Sequence, residues 1–122
     1  MTPGVVVAVL AAGVVGALSR YSISLALARH SRFPFAVLIV NVVGSIIGGA
    51  LLGLFDRAAI SAEWHLILLT GLAGGLTTFS TWSVETLQLI EAGRWRTAVS
   101  SVLANLVLGL AAASVAYLLA RG

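Results

Sequence analysis

Residues 74 to 85 read GGLTTFSTWSVE, which places a glycine pair, five hydroxyls (Thr77, Thr78, Ser80, Thr81, Ser83) and the carboxylate of Glu85 in a stretch otherwise apolar enough to cross a bilayer. In hydrocarbon, each unpaired backbone or side-chain polar group costs several kcal/mol. An interrupted helix at that depth therefore survives only where protein buries it or where it lines a hydrated path. Serine, threonine and amide groups can offer hydrogens to an anion. The edge of a phenyl ring, such as that of Phe79, carries the positive part of the ring quadrupole and can do the same. Carbonyls freed by unwinding around Gly74 to Thr77 would suit a hard monovalent cation instead. Enzymatic work needs a positioned nucleophile or an acid and base pair. The chain has no cysteine, no histidine within its expected spans and one intramembrane carboxylate, so no enzymatic activity is expected.

Three further polar positions stand out against the apolar background. Arg20 lies about two-thirds of the way along the first apolar stretch, where it either snorkels to the headgroups or meets an internal anion or helix-end partner. Asn41, in the second stretch, must hydrogen-bond either to a neighbouring helix or to a permeating species. Ser101, Asn105 and Gly109 are four apart in the fourth stretch and share one stripe, which either faces the break or mediates packing. Within the broken stretch, Thr78, Thr81 and Glu85 fall on one helical face, with Phe79 and Trp82 three apart on an adjacent one. The aromatic pair reads either as ordinary packing or as part of a path. The hydroxyls read either as bonds back to the preceding turn or as a polar track.

The elements that must position these groups are membrane helices. The chain has 122 residues, of which 60% are hydrophobic and 9% charged, far more apolar than a soluble domain with roughly a quarter of its residues charged. Four stretches of 20 residues or more, at about 4–28, 36–55, 66–90 and 96–119, are each long enough to cross a hydrocarbon core of roughly 30 Å. This predicts a single all-α membrane domain of four transmembrane helices, with the third broken in its middle. Gly44 and Gly48, and Gly49 and Gly53, form pairs at a spacing that lets another backbone approach closely. A single four-helix unit is small for enclosing a pore, so an oligomer is expected, with a second copy crossing the break. The N-terminus has no basic segment before its apolar run, and the first helix is expected to be retained.

All seven basic residues are arginines. Arg29, Arg32, Arg94 and Arg96 fall on one side of the four spans and Arg57 and Arg121 on the other. This bias predicts the first and third loops in the cytoplasm and both termini outside. His30 and His65 sit beyond the expected span ends, and without cysteine no structural zinc site is expected. A net charge of +3 calls for no nucleic-acid partner; arginines at span ends suit the lipid interface.

Taken together, Asn41, the run Gly74 to Thr81, Glu85 and Arg20, in a setting of four spans, resemble the Fluc fluoride channels, also called CrcB. The resemblance covers essentially the whole chain. It implies a dimer of antiparallel subunits in the cell inner (plasma) membrane, the dual-topology type, with two fluoride pores and a structural Na+ ion at the dimer centre. Fluoride that entered as HF and ionised in the cytoplasm would leave passively. By position, Asn41 and Phe79 would contact fluoride, Ser80 and Thr81 would belong to the polar track, and Gly74 and Thr77 would give carbonyls to sodium. Arg20 and Glu85 match the pattern without a defined role. Three positions depart from it. Trp82 stands where the family's second pore aromatic is usually phenylalanine, Ala36-Val37 where it has Gly-Thr, and Gly109 where the fourth span has a pore serine. These departures admit a heterodimer with a paralogue as well as a homodimer.

Two other functions compete. A small four-span proton-coupled multidrug-type transporter needs a membrane carboxylate facing a roomy aromatic pocket, a part that only Glu85 could fill. A non-conducting scaffold would use the glycines for packing, and leaves the hydroxyl cluster unexplained.

Overall fold

The computed structural model describes residues 1–28 and 32–122; Arg29 and His30, placed in the first loop above, lie outside the described residues. Every regular element among the described residues is helical. Four spans are long and apolar enough to cross a membrane: α1 (Pro3–Leu27), α2 (Phe35–Asp56), a composite third span (Ala62–Glu91) and α6 (Trp95–Arg121). The third span joins α3 (Ala62–Leu66), a π-helical segment (Ile67–Ala73), α4 (Gly74–Leu76) and α5 (Phe79–Glu91). It begins four residues earlier than hydropathy suggested, because Ser61 accepts from the Trp64 N–H at 3.3 Å and caps a polar first turn, which takes His65 into the helix.

The ends of the other spans have comparable local causes. Thr2 caps α1 by accepting from the Val5 N–H, and Pro3 follows, where a missing N–H costs nothing. Gly93, at φ 75°, supplies the left-handed residue that turns α5 into α6. Arg94 also donates from Nη2 to the Arg32 carbonyl at 2.7 Å, which ties this turn to the start of α2.

The helices associate as two pairs, each parallel. Along α2 and α6 the register is constant: Asn41 meets Asn105, Ser45 lies over Gly109, Gly49 over Ala113 and Gly53 over Tyr117. Side chains four apart face one way on a helix, so this ladder of small residues lets the two backbones approach closely. In the other pair, α1 crosses the third span through Gly13 and Gly16, which face Gly75 and Leu72, while Gly71 meets Val9. Gly44 leaves this pattern and accommodates the Thr77 side chain, so α2 touches the break as well as α6.

Large apolar side chains such as Leu10, Leu110 and Leu119 face outward, as expected where lipid replaces water around the bundle. The buried positions are mostly small. A Cβ on Gly49 would collide with the Ala113 backbone, whereas one on Gly48 would stand 3.4 Å from the end of the flexible Leu69 side chain. Gly49→Ala should therefore cost about 2 kcal/mol or more by forcing α6 away, with Gly48→Ala close to neutral. Thermal unfolding of the two purified variants in detergent checks this contrast.

Candidate functional site

The third span breaks at Thr77 and Thr78. Gly74 to Leu76 remain one helical turn, then Thr77 (ψ 157°) and Thr78 (φ −148°, ψ 121°) are extended before α5 starts. Unwinding thus starts three residues later than the expected Gly74, and two threonines rather than the glycines carry it. β-Branched residues favour extended backbone. The glycines instead serve contact with α1, since a Cβ on Gly75 would strike Gly13.

Asn41 splints this break. Its Oδ1 accepts from the Thr78 N–H at 2.9 Å, and its Nδ2 donates to the Thr78 carbonyl at 3.2 Å and to Asn105 Oδ1 at 3.0 Å. One amide thus pairs both backbone groups of the extended residue, as a neighbouring strand would. Asn105 is held in turn by donating to the Ser101 carbonyl at 2.8 Å, and both Asn105 and Ser101 are buried. The Ser101–Asn105–Gly109 stripe therefore faces both α2 and, through Asn41, the break.

On the α1 side, Arg20 Nε donates to the Gly75 carbonyl at 3.2 Å. Of the alternatives open to this arginine, the observed one is a helix-end partner. The carbonyls of Gly74 and Thr77 accept no hydrogen bond among the described residues. The bond from Thr78 that would have closed on Gly74 goes to Asn41 instead.

The hydroxyls divide by role. Thr77 and Ser83 bond back to Ala73 and Phe79 carbonyls, the ordinary habit of membrane hydroxyls. Thr78, buried, caps α5 by accepting from the Thr81 N–H at 3.1 Å and donates to Thr81 Oγ1 at 3.0 Å. Ser80 is exposed, with its Oγ 3.4 Å from that of Thr78. Sequence reasoning assigned Thr78 only to a polar face; its capping role needed the position of the break.

Clefts open on both sides of Thr78. One, of about 250 Å³, brings together Asn41, Thr77, Phe79 and Trp82 with Ser45 and Asn105. The other, of about 240 Å³, holds Arg20, Thr81, Tyr21 and Ser24 against Val37 and Val40. Phe79 and Trp82 meet edge to face, with centroids 5.7 Å apart and planes at 73°. Phe79 is 75% exposed, so most of its ring projects out of the four-helix bundle. Glu85 is brought to neither cleft. It lines a wider basin of about 530 Å³ near Arg32, Gln88 and Arg94, and its Oε2 is buried without a partner among the described residues. Ser45 was missed as a cleft residue, and Asn105, expected either to face the break or to mediate packing, lines the cleft. The four-residue spacing of Asn41 with Ser45, and of Ser101 with Asn105, was the available signal, and only the α2–α6 register joins the two stripes.

No group of three or more His, Asp or Glu residues that could hold a metal occurs among the described residues. At the break itself, the carbonyls of Gly74 and Thr77 are oxygens that could face a cation.

A family model described as "CrcB-like protein, Camphor Resistance (CrcB)" matches residues 7–117. A protein from Saccharophagus degradans named "Fluoride-specific ion channel FluC" is 41% identical over 114 residues, covering 92% of this chain and 86% of its own. A Pyrococcus abyssi protein of the same name is 42% identical over 110 residues, 89% of each chain. A Mycobacterium tuberculosis "Fluoride-specific ion channel FluC 1" is 42% identical over 116 residues, 93% of this chain and 88% of its own.

If Asn41 is the splint, Asn41→Ala leaves both Thr78 backbone groups unpaired. A stability loss of about 2 kcal/mol and faster amide exchange at Thr78, by about tenfold or more, are expected. Hydrogen exchange read at Thr78, with a residue in mid-α6 as reference, checks this.

Proposed function

This chain belongs to the CrcB-like family, and we propose on that footing that it is a fluoride-selective channel through which cytoplasmic fluoride leaves a cell passively. The observation that carries the reading is the cleft at the helix break. Two amides, hydroxyls and an aromatic pair converge there without an acidic side chain among the residues that line it. Such a site presents donors and ring edges to an anion and offers no carboxylate to repel it. The proton-coupled transporter reading is set aside, since the relatives compared carry the name of a channel.

The path we propose runs past Asn41, Phe79 and Trp82, with Ser80 and Thr81 continuing it. Phe79 projects from its own protomer, and a ring in that position is suited to meet an anion held between two copies. We therefore place the working unit as an antiparallel dimer in the cell inner membrane, made from two copies or from this chain and a paralogue, with the arginine-rich loops of this copy in the cytoplasm. A weak acid such as HF crosses lipid uncharged and ionises in a less acidic interior. An open anion path then suffices for export without an energy source.

A structural sodium ion is part of the same proposal. The Gly74 and Thr77 carbonyls, without a hydrogen bond among the described residues, fit a hard monovalent cation. Two copies crossing at the break would pool four such oxygens. The ion would hold the seam together rather than move through it.

Two measurements test these readings. In proteoliposomes, the protein should pass fluoride in strong preference to chloride, and Phe79→Ile, which keeps bulk and deletes the ring edge, should lower fluoride flux about tenfold or more. Equal rates for the variant would remove Phe79 from the path. For sodium, replacing Na+ with a large organic cation should lower the unfolding temperature. Sodium at a hundred times its dissociation constant would stabilise the protein by about 2.7 kcal/mol; an unchanged midpoint would exclude a structural ion.

A further inference from the structure

The donor expected to meet the anion, the Asn41 amide, is already committed. Both of its N–H groups have acceptors, the Thr78 carbonyl and Asn105 Oδ1, and its oxygen holds the Thr78 N–H. Releasing either N–H toward an anion would loosen the splint across the break.

A different donor in the same cleft wall has no such duty. Trp82 Nε1 is buried and has no hydrogen-bond partner among the described residues. An indole N–H can only donate, and a buried one normally finds an acceptor. One left unpaired in a membrane protein is costly, and calls for an explanation in function. Space lies on both sides of the ring. The polar cleft of about 250 Å³ borders Trp82 together with Asn41, Phe79 and Asn105, and a second cavity of about 360 Å³ borders it with Thr86, Leu87 and Val102. Phe79, its edge-to-face neighbour, is largely exposed, so that side of the ring pair is not enclosed by the rest of the bundle.

We propose that Trp82 is a specificity-determining residue that turns its indole N–H into the cleft and donates a hydrogen bond to the passing anion, with Asn41 kept as the splint. This deepens the channel reading and rests on it. A phenyl ring at this position would offer only the weak positive rim of its quadrupole. The indole adds a true donor, and a charge-assisted bond favours the small, strongly accepting fluoride over a larger, weaker acceptor such as chloride. The neighbouring Asn105 is suited to share the load, since among the described residues its amide donates to the Ser101 carbonyl alone and has a second hydrogen.

The test uses the full-length protein in lipid nanodiscs and proteoliposomes, with sodium fluoride and sodium chloride as probes. The three indole N–H resonances are followed by NMR as each salt is added. Trp64 and Trp95 are exposed residues at the ends of spans and serve as internal references. Fluoride should move the Trp82 resonance and leave the other two in place, and chloride should move none. Replacement of Trp82 by its benzothiophene isostere, which keeps the shape and lacks the N–H, should lower fluoride flux about tenfold and narrow its preference over chloride. A Trp82 resonance unmoved by fluoride at concentrations that saturate flux, or an isostere conducting like the wild type, overturns the assignment. Wild-type vesicles that pass no fluoride overturn the channel reading instead. In that case the resonance still decides whether Trp82 binds the anion.

Discussion

The fold turns on how a membrane helix can be interrupted without leaving its backbone bare. Hydrocarbon supplies no hydrogen bonds, so Thr78, extended in mid-span, needs a surrogate strand. Asn41 is that surrogate, and it is itself fixed by Asn105. On the other flank, Arg20 occupies the Gly75 carbonyl that the shortened turn exposes. Side chains from three helices, each too polar to face lipid, thus converge on the break between Gly75 and Thr78: Arg20 and Asn41 directly, and Asn105 through Asn41.

Close packing makes those short bonds possible. Amide and guanidinium groups span the break only because α2 lies against α6, and α1 against the third span, at glycine-mediated distance. Larger residues at Gly16 or Gly49 would separate the helices by more than a hydrogen bond tolerates. The glycines and the polar cluster are therefore one device. The first sets the separation and the second uses it.

Much of this was legible in the chain, for physical reasons that differ from part to part. Hydropathy fixed the four spans because transfer of apolar area is additive along a helix. The hydroxyl run after Gly74-Gly75 disclosed the break, because lipid penalises polar groups wherever they point. The exact residues of the break were not legible: glycine is permissive in either conformation, and only its contact with α1 shows that Gly75 stays helical. The π-helical turn before it left no compositional trace. The pairing of Asn41 with Asn105 depends on a register between helices that periodicity within either helix does not contain. Glu85, grouped with Thr78 and Thr81 by helical period, lies in a separate basin because two further turns carry it toward the end of the bundle.

Arg20 has a consequence of its own. The group it binds is a neutral carbonyl, so its positive charge is oriented without being cancelled, beside a cleft that also reaches Thr78 and Thr81. A carboxylate in the same place would have formed an ion pair and left the surroundings electrically flat. Among the described residues no carboxylate is paired with Arg20, so its positive charge, set in a low-dielectric surrounding, would favour an anion near this cleft and disfavour a cation.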